Sequence, residues 1–260
     1  MAQACGRIRR ELSVFAVLVA VICGVIGRPA ALGQSPTNQE DSIIAQSLAE
    51  MLRDARTIIS DNQQRINDPE RGDKGLSGKV VLADAVKLYE DQTKVDPQTI
   101  DPNSRQGRLL RAMMDSIVEV MDANQSNINA PGMGFKAFIP AVFGRLVSEA
   151  FARHAAGEAT IKVTAPRELV RNRKALPDDF EENVIKTKLL DAGWPRGQPY
   201  SAFAEAKGRS AYRIMVPEYY VESCLGCHGS PKGEMDLTGY PKEGAAEGDL
   251  GGVISITLYH

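Results

Sequence analysis

The chain has 260 residues, 43% of them hydrophobic and 25% charged, with 31 basic against 33 acidic side chains. This is ordinary globular composition, long enough for a core of normal size, and it excludes a low-complexity or disordered chain. No basic block or long charge run occurs, so nucleic acid is not an expected partner.

Arg7, Arg9 and Arg10 precede an apolar run from Leu12 to Gly27, and Ala31-Leu32-Gly33 follows as a small-x-small cleavage site. Residues 1–33 therefore read as a secretory signal peptide, with a mature start near Gln34 and export to the periplasm. The competing reading is an uncleaved anchor, because sixteen apolar residues nearly span a bilayer. Removing Arg7, Arg9, Arg10, Arg28 and Glu11 leaves 27 basic against 32 acidic residues, a net charge of −5. No second long apolar stretch follows, so no stable membrane insertion is expected after cleavage.

Residues 34–40 read as a polar linker, and the folded domain is expected over residues 41–260. From Asp41 to Asn67, apolar residues at Ile44, Leu48, Met51, Ala55, Ile58 and Ile59 keep helical spacing, and Asp68-Pro69 stops the helix. Residues 68–78 form a Gly-rich loop. A second helix is predicted from Lys79 to Glu90. A third spans Arg105 to Asp122, with Leu109, Leu110, Met113, Ile117 and Met121 on one face. Asn124–Gly134 reads as a loop. Pro140 opens a fourth helix carrying Val142, Phe143, Leu146, Val147, Ala150 and Phe151. A strand is predicted at Ile161–Thr164, and a helical stretch from Pro177-Asp178-Asp179 toward Leu190. Tyr200–Glu205 and Ser210–Val216 flank Lys207-Gly208 as a hairpin, and Gly252–Leu258 reads as a last strand. Helices followed by a largely antiparallel sheet define an α+β class.

Of the four cysteines, Cys5 and Cys23 fall in the signal, and the other two lie in Cys224-Leu225-Gly226-Cys227-His228. Cys-x-x-Cys-His is the attachment signature of c-type haem. On one helical turn, residues i, i+3 and i+4 face the same way, so both thiols can reach the porphyrin vinyl groups while His228 meets the iron. A disulfide or redox dithiol does not require the adjacent His, and a thioredoxin-like βαβ context is missing. A zinc site needs further ligands at suitable spacing, which His154 and His260 do not provide.

Further blocks accompany the motif in order: Gly134-Phe135-Lys136-Ala137-Phe138-Ile139-Pro140-Ala141, Val170-Arg171-Asn172-Arg173, Pro177-Asp178-Asp179-Phe180-Glu181, Met215-Val216-Pro217, Gly239-Tyr240-Pro241 and Gly248-Asp249-Leu250-Gly251-Gly252-Val253-Ile254-Ser255. With the stretch Asn62–Gly75, they cover most of the mature chain. In these blocks the chain resembles a bacterial family of exported haem-c domains with a PAS-like fold, formerly carried as a domain of unknown function. Its members occur as free periplasmic proteins and as input domains of sensor kinases. The resemblance implies a PAS-like antiparallel sheet flanked by helices, an N-terminal helical segment, and one covalent haem c near the last strands. Some relatives supply a Cys as second axial ligand, whereas the mature chain here has none to spare.

Candidates for the other side of the iron are His154, Met215 and Met133, with His154 equally at home as a helix C-terminal cation and Met215 as core. Met113, Met114 and Met121 read as packing. Arg171, Arg173, Arg213, Tyr212 and Tyr240 are candidates for the haem propionates, and Phe135, Phe138 and Phe143 for the haem face. The expected function is a redox- or small-ligand-sensing module or a single-electron carrier, working with a separate redox partner or membrane signalling protein. A small-molecule peroxidase or reductase is the enzymatic alternative, and it needs an open distal site with acid–base residues. A haem-free interaction domain is the third reading.

Overall fold

The computed structural model describes residues 36–260. The expected signal peptide and its cleavage site lie outside the described residues. Helix α1 covers Pro36–Asp61, so residues 36–40, expected as linker, are already helical, with Pro36 in the first turn where it is tolerated. The single helix predicted to Asn67 is interrupted at Asn62, whose backbone (φ −97°, ψ 11°) separates α1 from the short α2, Gln63–Asn67.

Helix α3, Gly78–Thr93, begins where the Ser77 side chain accepts from Val80 N. Helix α4, Arg105–Ala123, begins where Ser104 accepts from Gly107 N. Each serine satisfies a donor that the first turn leaves unpaired. The predicted stripe of α4 is buried throughout: Leu109, Leu110, Met113, Ile117 and Met121 are all at most 1% exposed. At Gly78 the two helices approach so closely that a Cβ would lie 2.7 Å from Val118 O. A one-turn helix α5, Gln125–Ile128, occupies part of the segment read as loop. Helix α6, Pro140–His154, starts at its proline as expected.

Strands β1 (Ala159–Thr164), β2 (Tyr200–Ala206), β3 (Arg209–Tyr219) and β4 (Leu250–Tyr259) form one antiparallel sheet in the order β1-β4-β3-β2. The α+β class, with helices flanking an antiparallel sheet, is the one expected. Alternation along the strands sends Ile161, Tyr212, Ile214, Ile254, Ile256 and Leu258 into one large core with α1, α3, α4 and α6. The opposite face carries Met215 and Val253. They pack in a second cluster with Val184, Ile185 and Leu189 from α7 (Asp179–Val184) and the π-turn Ile185–Leu189 that continues it. A capping box at Asp178 and Glu181 starts α7. Between β3 and β4, residues 220–249 form no strand of the sheet; this excursion carries the Cys-x-x-Cys-His motif.

Candidate haem-attachment site

The motif lies on a single turn, α8 (Leu225–His228), with Cys224 at its N-cap. The turn closes through Gly229 N–H to Leu225 O at 2.9 Å. Cys224 and Cys227 are free thiols, each partly exposed. After α8 the chain doubles back in a tight loop, with Gly233 N–H donating to Lys242 O and Asp236 N–H to Tyr240 O. This return brings Glu243 to His228, with Oε2 at 2.8 Å from Nδ1. The Tyr220 ring stacks on the imidazole at 4.9 Å between centroids and 26° between planes, with its hydroxyl 3.3 Å from Nδ1. A Cβ at Gly251 would sit 2.6–2.8 Å from three atoms of the Tyr220 ring, so only glycine admits this stack.

Arg171 enters from the loop after β1. Its Nη2 donates to Cys227 O at 3.0 Å, Nε to Glu243 Oε1 at 2.9 Å, and Nη1 to Asp236 Oδ2 at 2.6 Å. One guanidinium thus ties the haem motif to the returning loop. The Glu243 carboxylate can only accept, so the 2.8 Å contact assigns the proton of His228 to Nδ1. Among the described residues no recorded hydrogen bond uses Nε2. A histidine fixed at one nitrogen by a carboxylate, with the other nitrogen available, is the usual arrangement of a metal-bound imidazole.

Electrostatics follow from this packing. Burial favours the neutral form of Glu243, but hydrogen bonds from Arg171 and His228 outweigh it and hold the carboxyl below its ordinary range. Asp236 behaves alike: burial is opposed by the Thr238 hydroxyl, Arg171 and the backbone N–H groups of Tyr240 and Thr238, and its pKa lies well below the usual carboxylate value. Burial, reinforced by the Glu243 charge, pushes the Tyr220 phenol up to about 12. Burial and the Asp236 charge raise the Cys227 thiol, keeping it protonated. The site therefore brings two free thiols and one oriented imidazole together on a single turn, which fits a covalently held haem. Among the described residues, no group of three or more His, Cys, Asp or Glu is placed to hold a bare metal ion.

A family model matches residues 34–258. The chain belongs to the Tll0287-like family. This membership agrees with the haem-binding family that the sequence blocks resemble. No curated protein and no solved structure gave a match. Among the described residues, no helix of this Tll0287-like domain is long and apolar enough to cross a membrane.

A long depression runs from the motif past the end of β3 to α1 and the Phe135–Ile139 segment. Cys224, Cys227, His228, Arg171, Arg173, Arg213, Tyr240 and Phe135 all line it. The expected roles of several candidates change with their surroundings. Arg171 spends its guanidinium on Glu243 and Asp236 rather than offering it to a propionate. Tyr240 is 45% exposed and lies against Arg171, 5.4 Å from ring centroid to guanidinium. Arg213 is held at Asp178 Oδ2, 2.7 Å away, and sits over the Phe180 ring.

Phe138, expected on the haem face, turns into the main core against Phe143 with 2% exposure. Tyr212 is likewise buried in that core. Met215, proposed as an axial ligand, is completely buried in the second apolar cluster. His154, the other axial candidate, ends α6 with Nε2 on Glu119 at 2.7 Å. None of these four lines the depression.

Sequence reasoning missed Tyr220, Glu243 and Asp236. No spacing rule links them to the motif, because a loop return and a β-end stack bring them there. It also missed Glu218, two residues before Tyr220. Arg53 Nε reaches Glu218 Oε1 at 2.8 Å and Arg56 binds Oε2, clamping α1 to β3 beside the depression. Burial opposes the Glu218 charge, yet the two arginines hold its pKa down.

Proposed function

We propose that this protein is a periplasmic c-type haem module, exported by the segment 1–33. Cys224 and Cys227 would hold one haem c through thioether links, each made by addition of S–H across a vinyl C=C with no net oxidation, and His228 would supply an imidazole nitrogen to its iron. The observation carrying this reading is the His228 imidazole, engaged through Nδ1 by Glu243 at 2.8 Å with Nε2 left over, on the same turn as two free thiols. When bound, haem supplies a one-electron couple and an iron able to take small ligands. Glu243 orients the imidazole and raises its basicity, Tyr220 fixes its plane, and Arg171 ties the surrounding loops together.

Such a module works as a redox- or small-ligand-responsive domain or passes single electrons, with its output delivered to a separate redox partner or membrane signalling protein. The test is expression in a host with cytochrome c maturation, followed by mass spectrometry of the periplasmic protein. The expected mass starts near Gln34 and exceeds the polypeptide by about 0.6 kDa, resistant to acid–acetone extraction. The double variant Cys224→Ser/Cys227→Ser is expected to lose that increment. Bare polypeptide mass in the wild type refutes the reading.

A further inference from the structure

We propose that the chain supplies one protein ligand only, His228, and leaves the opposite axial position open to a small exogenous diatomic ligand. This inference rests on the haem reading above and narrows it toward ligand sensing. Every other histidine and every buried methionine among the described residues has a fixed place elsewhere. His154 binds Glu119 through Nε2. His260 binds Asp41 through Nε2 at 3.0 Å and packs on Phe203. Met51, Met113, Met121 and Met215 have no exposed surface, and Met114 has 8%. Met235 sits on the returning loop, its backbone bridged to Pro241, and does not line the depression. No methionine, and no histidine other than His228, lines the depression beside the motif.

Met133 comes nearest to an exception, since Phe135, two residues on, does line the depression. Its loop is pinned, however. Lys136 Nζ donates to the carbonyls of Ala130 and Met133, Lys136 N–H to Asn67 Oδ1 at 2.9 Å, and Gly132 N–H to Pro69 O at 3.0 Å. With the backbone so held, the Met133 side chain stays 48% exposed. Of the lysines on the lining, Lys162 is bound by Glu181 at 2.6 Å. Lys174 is mostly exposed and lies 3.8 Å from Glu149, and Lys207 is exposed in the turn between β2 and β3.

The lining of the depression is polar as well as apolar. Arg56 on α1 lines it with its guanidinium bound to Glu218, and Arg213 lines it bound to Asp178. Pocket polarity is one of the features that select ligand binding over electron transfer at a haem.

The test uses the holoprotein, with attached haem verified by mass in the same sample. Optical and electron-paramagnetic spectra are recorded for wild type, Met133→Ala and His154→Ala, with CO titrated into each reduced protein. High-spin spectra in all three, with about one CO bound per attached haem, are expected. Attached haem that is low-spin and inert to CO overturns this inference while leaving the attachment reading intact. So does a low-spin wild type that becomes high-spin only in Met133→Ala or only in His154→Ala, and each of these also names the true ligand. A sample without covalent haem overturns both proposals.

Discussion

Asp54 on α1 provides a sharp electrostatic test of the fold. Its side chain is 1% exposed. Gln92 Nε2 donates to Oδ1 at 2.8 Å, but Oδ2 is buried with no partner. Burial, and then the charge of Glu50 one turn earlier, outweigh the Gln92 hydrogen bond and the attraction of Arg53, and push the Asp54 carboxyl up to about 7. In the unfolded chain the value is about 3.9. The folded state therefore holds this proton more tightly. The stabilisation is complete below about pH 4 and is lost as pH rises through about 7. Between those limits the slope is about 1.4 kcal/mol per pH unit, so going from pH 5 to pH 8 removes about 2–3 kcal/mol through this one group. Asp54→Asn keeps the shape and cannot ionise. Urea unfolding of both proteins at pH 5 and pH 8 isolates the effect, because the other titrating groups contribute equally to each. The wild type is expected to lose about 2–3 kcal/mol more than the variant over that interval. Equal losses in the two proteins refute the assignment.

Gly251→Ala drives a Cβ into the Tyr220 ring, at 2.6 Å in the present geometry. A destabilisation of about 1–3 kcal/mol is expected in thermal melting, and, on the proposed haem reading, a changed visible spectrum as Tyr220 moves off His228. Phe143→Ala empties the centre of the main core, where the ring is fully buried against Phe138. It is expected to cost about 3–5 kcal/mol in denaturant unfolding and, on the proposed haem reading, to leave the visible spectrum unchanged.

Much of this architecture is local and therefore legible in the sequence. Ser77, Ser104, Pro140 and the Asp178–Glu181 pair start their helices through contacts within three residues, and the α4 stripe is buried as its period requires. The pause at Asn62 was not legible, because nothing in the local pattern ends the apolar spacing there. At the site, the motif is contiguous and reads directly. Its support is not: Arg171 and Glu243 lie 72 residues apart. His154 and Met215 have the chemistry of axial ligands, but neither lines the depression. A contact with Glu119 at a helix end holds one, and the apolar cluster under α7 holds the other. Met215 was legible as core from its strand, but which face of the sheet it serves depends on where α7 lands.

The strand order β1-β4-β3-β2 also fixes a sequence of events during synthesis. β4 begins at Leu250, after the Cys-x-x-Cys-His turn, yet it is the neighbour of both β1 and β3. A chain threaded from its N-terminus exposes Cys224 and Cys227 while β1 still has no partner in the sheet. Glu243 and Gly251, which fix the His228 imidazole through contact and through clearance for Tyr220, emerge later still. The thiols are thus presented on an open chain, and the arrival of β4 both completes the sheet and locks the histidine in its final plane.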